Sequence, residues 1–317
     1  MRFLVAGAGA WGTAFTHVLL ERGHDVVLAC HSRQQADAIA GTGRNPRSLP
    51  IVDLHQATAV ALEDAPGDVD VAVVAVPSRA FAKVVATLPG DSPILSLTKG
   101  LDPETGERLS SCVPGRPVAV LSGPNMAEEI AVGLPTAAVI ASDDGYLAGQ
   151  LQHAINSTVF RAYVNQDVVG VELCAAAKNV IALAAGGVDG LDLGDNAKAS
   201  LITRGLAEMA RLGEAAGARP ETFAGLAGMG DLIVTCWSRH GRNRHAGELI
   251  AQGRTPDEAI ADIGQTVEGI TTAPALLGLS RRLGVELPIT EGVCAVLSGE
   301  SLSALVSGLM GREPTEE

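Results

Sequence analysis

Six residues near the N-terminus constrain this chain more than any other feature. Gly7-Ala8-Gly9-Ala10-Trp11-Gly12 fits G-x-G-x-x-G, directly after the apolar run Phe3-Leu4-Val5-Ala6 and before a helix-like stretch over 11–21. A strand before and a helix after are the context in which this spacing forms a dinucleotide-binding turn. Gly7 permits the tight turn, Gly9 lets the backbone approach a pyrophosphate, and Gly12 lets the helix pack close to the strand. The amides that open the helix, at Ala10, Trp11 and Gly12, then face an anion, aided by the positive end of the helix dipole. The same N-terminus loosely mimics a secretory signal, but the glycines interrupt its would-be apolar region.

A second apolar run covers 25–30, and further runs lie at 69–76, 93–97, 118–121 and 137–141. Each is short, and helical or loop-like segments separate them. Continuous apolar strands alternating with helices indicate a parallel sheet covered on both faces. From residue 167 the pattern changes to 3.6-residue periods, at 168–185, 196–216, 242–252, 255–263, 271–283 and 288–297. Gly217, Gly253, Gly284 and Gly299 follow several of these, as C-terminal caps do. The expected architecture is an α/β N-terminal Rossmann domain, doubly wound with a mainly parallel sheet, over 1–165. An all-α C-terminal domain follows over 166–312, and 313–317 is a polar, frayed tail.

Charge narrows the partners. The 36 acidic and 23 basic side chains give a net charge of −13, and only nine residues are aromatic. Nucleic acid is not expected, because its backbone demands a positive face and its single strands demand aromatic platforms. A small anionic ligand stays open, since a site can reverse the sign locally. Five isolated cysteines, with no C-x-x-C pair, argue against a disulfide framework or a zinc knuckle and for reduced thiols in the cytoplasm. No metal site is expected. No apolar run reaches the ~18 residues a membrane helix needs.

Several polar groups stand out against this apolar background. Lys99 ends the run Ser96-Leu97-Thr98, where ligands lie in an open α/β sheet. Read as a solvated surface lysine, it would have no such role. In Ser122-Gly123-Pro124-Asn125-Met126-Ala127-Glu128, the spacing favours Asn125 as a helix cap with Glu128 as its partner. Lys178 interrupts the apolar stretch 174–182, with Asn179 beside it. Burial lowers an ammonium pKa and fits a lysine for proton transfer. Asp231, after Gly225-Leu226-Ala227-Gly228-Met229-Gly230, could orient a lysine, bind a substrate hydroxyl or cap a helix. Residues 239–245 are the densest basic stretch, and arginine there suits phosphate. The second strand runs into His31-Ser32-Arg33, a cation and a hydroxyl with no carboxylate, which favours NADP(H) over NAD(H).

Taken together, GAGAWGTA (7–14), LTKG (97–100), LSGPNMAEEIA (121–131), KNVIALAAG (178–186), GDNAKASLITRGLAEM (194–209), GLAGMGDLIVTC (225–236), GRNR (241–244) and TVEGITTA (266–273) resemble the bacterial-type NAD(P)-dependent glycerol-3-phosphate dehydrogenases. The resemblance implies reversible reduction of dihydroxyacetone phosphate to sn-glycerol 3-phosphate, feeding phospholipid synthesis, in a cleft between the two domains. It implies Lys178 as general acid/base, and Lys99 in contact with substrate and cofactor. It places Gly123, Asn125, Asp231, Gly241, Arg242 and Asn243 at the substrate. It adds Ala127, Arg242, Thr266 and Glu268 as cofactor contacts to Gly7, Gly9, Ala10, Trp11 and Gly12 of the glycine turn and to His31 and Arg33 after the second strand. Five positions depart from the family pattern: Ser-Phe is usual at Asn125-Met126, Ser at Gly241, and Trp and Arg at Ala29 and His31. The partner expected is a small molecule, and a homodimer is one option. Two other readings are a related two-domain reductase of a non-phosphorylated hydroxy acid and a non-enzymatic NADP(H) sensor.

Overall fold

The structure is a computed structural model that describes residues 1–303. Residues 304–317 fall outside it, and with them the expected end of the helical domain at 312 and the tail 313–317. Eight strands form one sheet: β1 (Arg2–Ala6), β2 (Asp25–Cys30), β3 (Thr58–Ala61), β4 (Val71–Val74), β5 (Ile94–Ser96), β6 (Val118–Ser122), β7 (Thr136–Ala141) and β8 (Phe160–Asn165). Their order is β3-β2-β1-β4-β5-β6-β7-β8, and only the β6–β7 pair is antiparallel. Helices α1 (Ala10–Glu21), α2 (Arg33–Thr42), α3 (Ser78–Thr87), α4 (Ala127–Ile130) and α5 (Gly145–Ile155) connect the strands.

Residues along β1 divide between the two faces of the sheet. Phe3 and Val5 join the core with Phe15, Leu19 and Leu28, whereas Leu4 and Ala6 join the opposite core with Val27, Val74 and Phe81. Burying each large apolar side chain contributes about 1.5–3 kcal/mol. Strand order reverses between β1 and β4, and the crevice outside the carboxyl ends of the strands at such a point is where ligands bind. The loops after β1, β4, β5 and β6 all open there.

The sheet ends at Asn165, and α6 (Val168–Gly190) begins three residues later. It is followed by α7 (Gly194–Ala215), α8 (Pro220–Ala224), α9 (Asp231–Trp237), α10 (Arg242–Ala251), α11 (Pro256–Ile263), α12 (Glu268–Leu283) and α13 (Pro288–Leu297). A π-helical turn, Leu226–Gly230, leads into α9. Helix α6 bears on the membrane expectation. Its 23 residues are long and apolar enough to cross a membrane, although the segment carries no unbroken apolar run of that length. Here 89% of its most apolar stretch is buried, under α7, α10 and α12. Contact with α10 is backbone to backbone. A Cβ on Gly186 would sit 1.8 Å from the Arg244 carbonyl oxygen, and one on Gly247 would sit 1.9 Å from that of Leu183. These glycines let α10 approach α6 closely and carry its N-terminus to the cleft.

Strands β3 and β8 have no counterpart among the expected runs. They are the two edges of the sheet. In β8 buried and exposed residues alternate at first, and β3 is mostly half-buried. Neither shows the unbroken apolar run of a central strand.

Candidate active site

The glycine turn has the geometry its spacing requires. Gly7 has φ +114°, and a Cβ on Gly12 would lie 1.8 Å from the Gly7 carbonyl oxygen. A Cβ on Gly9 would meet nothing within 4 Å, so open space faces the backbone there. Gly9 caps α1 without a side-chain hydrogen bond, which leaves the first amides of the helix for a ligand. The turn is pinned from outside: Gln35 Nε2 and Asn45 Nδ2 donate to the Ala8 carbonyl at 3.0 and 2.9 Å.

From Gly9, Ala10 and Trp11 a cleft of about 380 Å³ runs to the helical half. Val76, Lys99, Asn125, Ala127, Lys178, Asn179, Asp231, Thr235, His240, Gly241, Arg242, Asn243, Thr266 and Glu268 line it further along. Trp11 Nε1 and Asn125 Nδ2 are buried donors in this cleft without an acceptor among the described residues.

Its centre is a buried charge cluster. Lys178, in the middle of α6, donates to Asp231 Oδ1 at 2.6 Å and to Thr235 Oγ1 at 2.8 Å. Lys99 donates to Asp231 Oδ2 at 2.9 Å, to Asn125 Oδ1 at 2.8 Å and to the Gly123 carbonyl at 3.3 Å. Ser122 Oγ donates to Asp231 Oδ2 at 3.2 Å. Thr235 Oγ1 donates in turn to the Asp231 carbonyl at 2.6 Å, so the threonine is locked as an acceptor for Lys178. Burial pulls the Lys178 ammonium down to about 7, against the opposing pull of Asp231 and with the help of Lys99. Burial would raise the Asp231 carboxyl, but Lys178 and Lys99 outweigh it and hold the group below its ordinary value.

The far end is organised by amides and an arginine. Asn243 Nδ2 donates to Asn179 Oδ1 at 2.9 Å, and Asn243 Oδ1 accepts from the Gly269 amide at 2.8 Å. These bonds join α10, α6 and α12. Arg242 is exposed and donates to the Thr266 carbonyl at 3.1 Å. Glu268 accepts from the Ser78 amide at 3.1 Å and from its hydroxyl at 2.6 Å, tying α12 to the start of α3. Burial raises the Glu268 carboxyl in spite of these bonds.

Not every sequence-selected residue meets in the cleft. Gly123 contributes its carbonyl to Lys99 from behind the lining. Asn125 is not a helix cap: α4 is capped at Met126 without a side-chain bond, and the Asn125 side chain turns to Lys99. Lys99 itself is a cluster member rather than a solvated lysine. Asp231 orients two lysines and lies inside the first turn of α9, with Gly230 at the cap. His31 follows β2 and Arg33 opens α2, both outside the cleft lining, and Arg33 is engaged by Glu63 at 2.9 Å and Asp64 at 2.7 Å. Sequence reasoning passed over Thr235, Ser122 and Ser78. Thr235 had a signal, a hydroxyl one helical turn after Asp231, whereas Ser122 and Ser78 are recognisable only through tertiary contact.

A Rossmann sheet with an open glycine turn, facing a lysine–aspartate cluster on a separate helical unit, has the build of a two-domain dinucleotide-dependent dehydrogenase. Residues 3–148 match the family model described as the N-terminus of NAD-dependent glycerol-3-phosphate dehydrogenase, and residues 167–306 match the model of its C-terminus. The chain belongs to the NAD-dependent glycerol-3-phosphate dehydrogenase family. It is similar to the glycerol-3-phosphate dehydrogenase (NAD(P)+) of Halorhodospira halophila, with 46% identity over 99% of this chain and 97% of the relative. The Bacillus cereus protein of that name is 42% identical over 98% and 96%. Among solved structures, glycerol-3-phosphate dehydrogenase from Coxiella burnetii superposes with a TM-score of 0.94 at 36% identity, covering 98% of this chain and 99% of that one.

Proposed function

We propose that this protein is an NAD(P)-dependent sn-glycerol-3-phosphate dehydrogenase that interconverts dihydroxyacetone phosphate and sn-glycerol 3-phosphate. Residues 1–165 would hold the cofactor and 166–312 would supply the catalytic groups. The observation that carries the reading is the Asp231 carboxylate bridging Lys99 and Lys178 in the cleft that starts at the glycine turn. Family membership and the full-length relatives support it.

The residues present suit a dinucleotide. Open space at Gly9, the amides of Ala10, Trp11 and Gly12, and the close Gly7–Gly12 packing would hold its pyrophosphate. Ala127, Lys99, Arg242, Thr266 and Glu268 stand further along as contacts, and His31 and Arg33 at the adenosine end. Arg33 favours the 2′-phosphate of NADP(H), with Glu63 and Asp64 competing for it. When bound, the nicotinamide supplies or accepts the hydride.

Reduction of a ketone leaves an alkoxide that needs a proton and positive charge nearby. Lys178 supplies both as general acid, and its lowered pKa lets it reverse the role near neutral pH. Asp231 and Thr235 fix its ammonium. Lys99 adds charge at the developing oxyanion. Among the described residues Asn125 Nδ2 has no acceptor, so it remains available as a donor for a substrate oxygen, with Gly123 behind it. Gly241, Arg242 and Asn243, at the start of α10, would take the substrate phosphate. Five free cysteines, three of them buried, fit a cytoplasmic setting.

Absorbance of NADPH and of NADH, followed first with dihydroxyacetone phosphate and then with unphosphorylated dihydroxyacetone, tests the reading. Oxidation that needs the phosphorylated ketone is expected. Oxidation with neither compound would favour a sensor, and equal use of both would favour a reductase of non-phosphorylated substrates.

A further inference from the structure

We propose that His240 is a specificity-determining residue whose imidazole completes the anion-binding end of the cleft beside Arg242. The group it takes is the phosphate monoester of the substrate. The inference rests on the dehydrogenase reading above and deepens it.

Among the described residues, four basic side chains line the cleft: Lys99, Lys178, His240 and Arg242. Three are already engaged. Both lysines donate to Asp231, and Lys99 also to Asn125. Arg242 donates to the Thr266 carbonyl. The His240 ring has no hydrogen-bond or ion-pair partner among the described residues, and His240 is exposed at the cleft wall. A phosphate dianion needs several donors on different sides, so a free imidazole next to an arginine has a role that the buried lysines cannot fill.

Local backbone explains why the donor comes from position 240. Gly241, the next residue, is buried, and a Cβ there would lie 2.8 Å from the Thr235 carbonyl oxygen and 3.1 Å from that of Ser238. No side chain fits at 241 without moving backbone. The turn is fixed as well: the His240 amide donates to Ser238 Oγ at 3.1 Å, and the Gly241 amide to the Ser238 carbonyl at 3.1 Å. Arg244 Nε donates to the same carbonyl at 3.2 Å. His240 is therefore the last side chain before α10 opens at an N-terminus with no side-chain cap. One anion there can meet the helix amides, Arg242 and the imidazole together.

The test uses full-length protein with His240→Ala and His240→Gln. Four constants are measured: KM and kcat for dihydroxyacetone phosphate, the inhibition constant of inorganic phosphate, and the dissociation constant of NADPH. In His240→Ala, KM and the phosphate inhibition constant should each rise about tenfold, the change expected for losing one hydrogen bond to a charged group. The kcat and the NADPH constant should stay within about twofold, and His240→Gln should recover part of the loss because it keeps a donor. An unchanged KM and phosphate constant would overturn the assignment alone. A parallel loss of kcat and NADPH affinity would also overturn it, by making His240 structural. If the wild type binds NADPH but never turns over the phosphorylated ketone, the dehydrogenase reading fails first and this proposal with it.

Discussion

The two halves of the molecule build their parts of the cleft by different means. The sheet half works with backbone: Gly9 leaves space, Gly7 and Gly12 set the turn, and the opening amides of α1 stay free. The helical half works with side chains that meet in space: Lys178 from α6, Asp231 and Thr235 from α9, Asn243 from α10. Lys99 reaches across from the loop after β5 and belongs to both. A backbone site depends on where atoms are excluded. A side-chain site depends on charge, and loses function when one group is removed even if the fold is intact.

Substitutions can break or sharpen this contrast. Removing the Lys178 amine should cost most. Lys178→Ala is expected to lower kcat by about 10²–10⁴-fold, the usual worth of positioned proton transfer, while NADPH affinity by fluorescence titration stays near wild type. Equal loss of both would mean the halves are not separable in this way. Arg242→Ala should raise KM for the phosphorylated ketone by about 10–100-fold with a smaller change in kcat, because phosphate binding lies away from the reacting carbon. A collapse of kcat at constant KM would move Arg242 to the chemistry instead.

The pH profile probes the helical half alone. Burial brings Lys178 to about 7, and ketone reduction uses its charged form. The kcat for reduction should hold below that value and fall about tenfold per pH unit above it. Alcohol oxidation uses the neutral amine, so its kcat should fall on the acid side. A flat profile in both directions would remove Lys178 as the proton carrier. The smallest effect belongs to the sheet half. Glu63→Gln with Asp64→Asn releases Arg33 from two solvent-exposed pairs, which water and salt screen. The ratio of NADPH to NADH affinity should rise by a few-fold. No change would take Arg33 out of cofactor selection.

The contrast also governs what could be read without coordinates. The glycine turn was legible because its requirements are local: a strand, three glycines and a helix in one stretch of chain. Central strands were legible because both faces are buried, and β3 and β8 were not, because both are edges: β8 turns alternate residues to solvent at first and β3 is short and only partly covered. Lys178 announced itself as a charge in an apolar helix. What it touches could not be read, since Asp231 lies 53 residues further along. Asn125 shows the limit most directly. Its spacing to Glu128 suits a capping box, yet the lysine from the loop after β5 is nearby and charged, and the side chain serves that instead. Arg33 was visible as a cation, but its two acidic neighbours come from the turn after β3, one of the strands the pattern hides.

The long helix α6 has a consequence for the chain while it is being made. Much of what covers it is synthesised later, since α10 and α12 end 61 and 93 residues beyond Gly190. At typical elongation rates the nascent chain carries an incompletely covered apolar segment for roughly 5–20 s. A targeting factor sampling nascent chains by hydropathy would meet a segment the length of a membrane anchor. Lys178 sits near its midpoint, where a lysine costs about 2.5–3.5 kcal/mol to insert into a bilayer. The amine that the finished cleft holds against Asp231 thus also penalises misdirection of the unfinished chain.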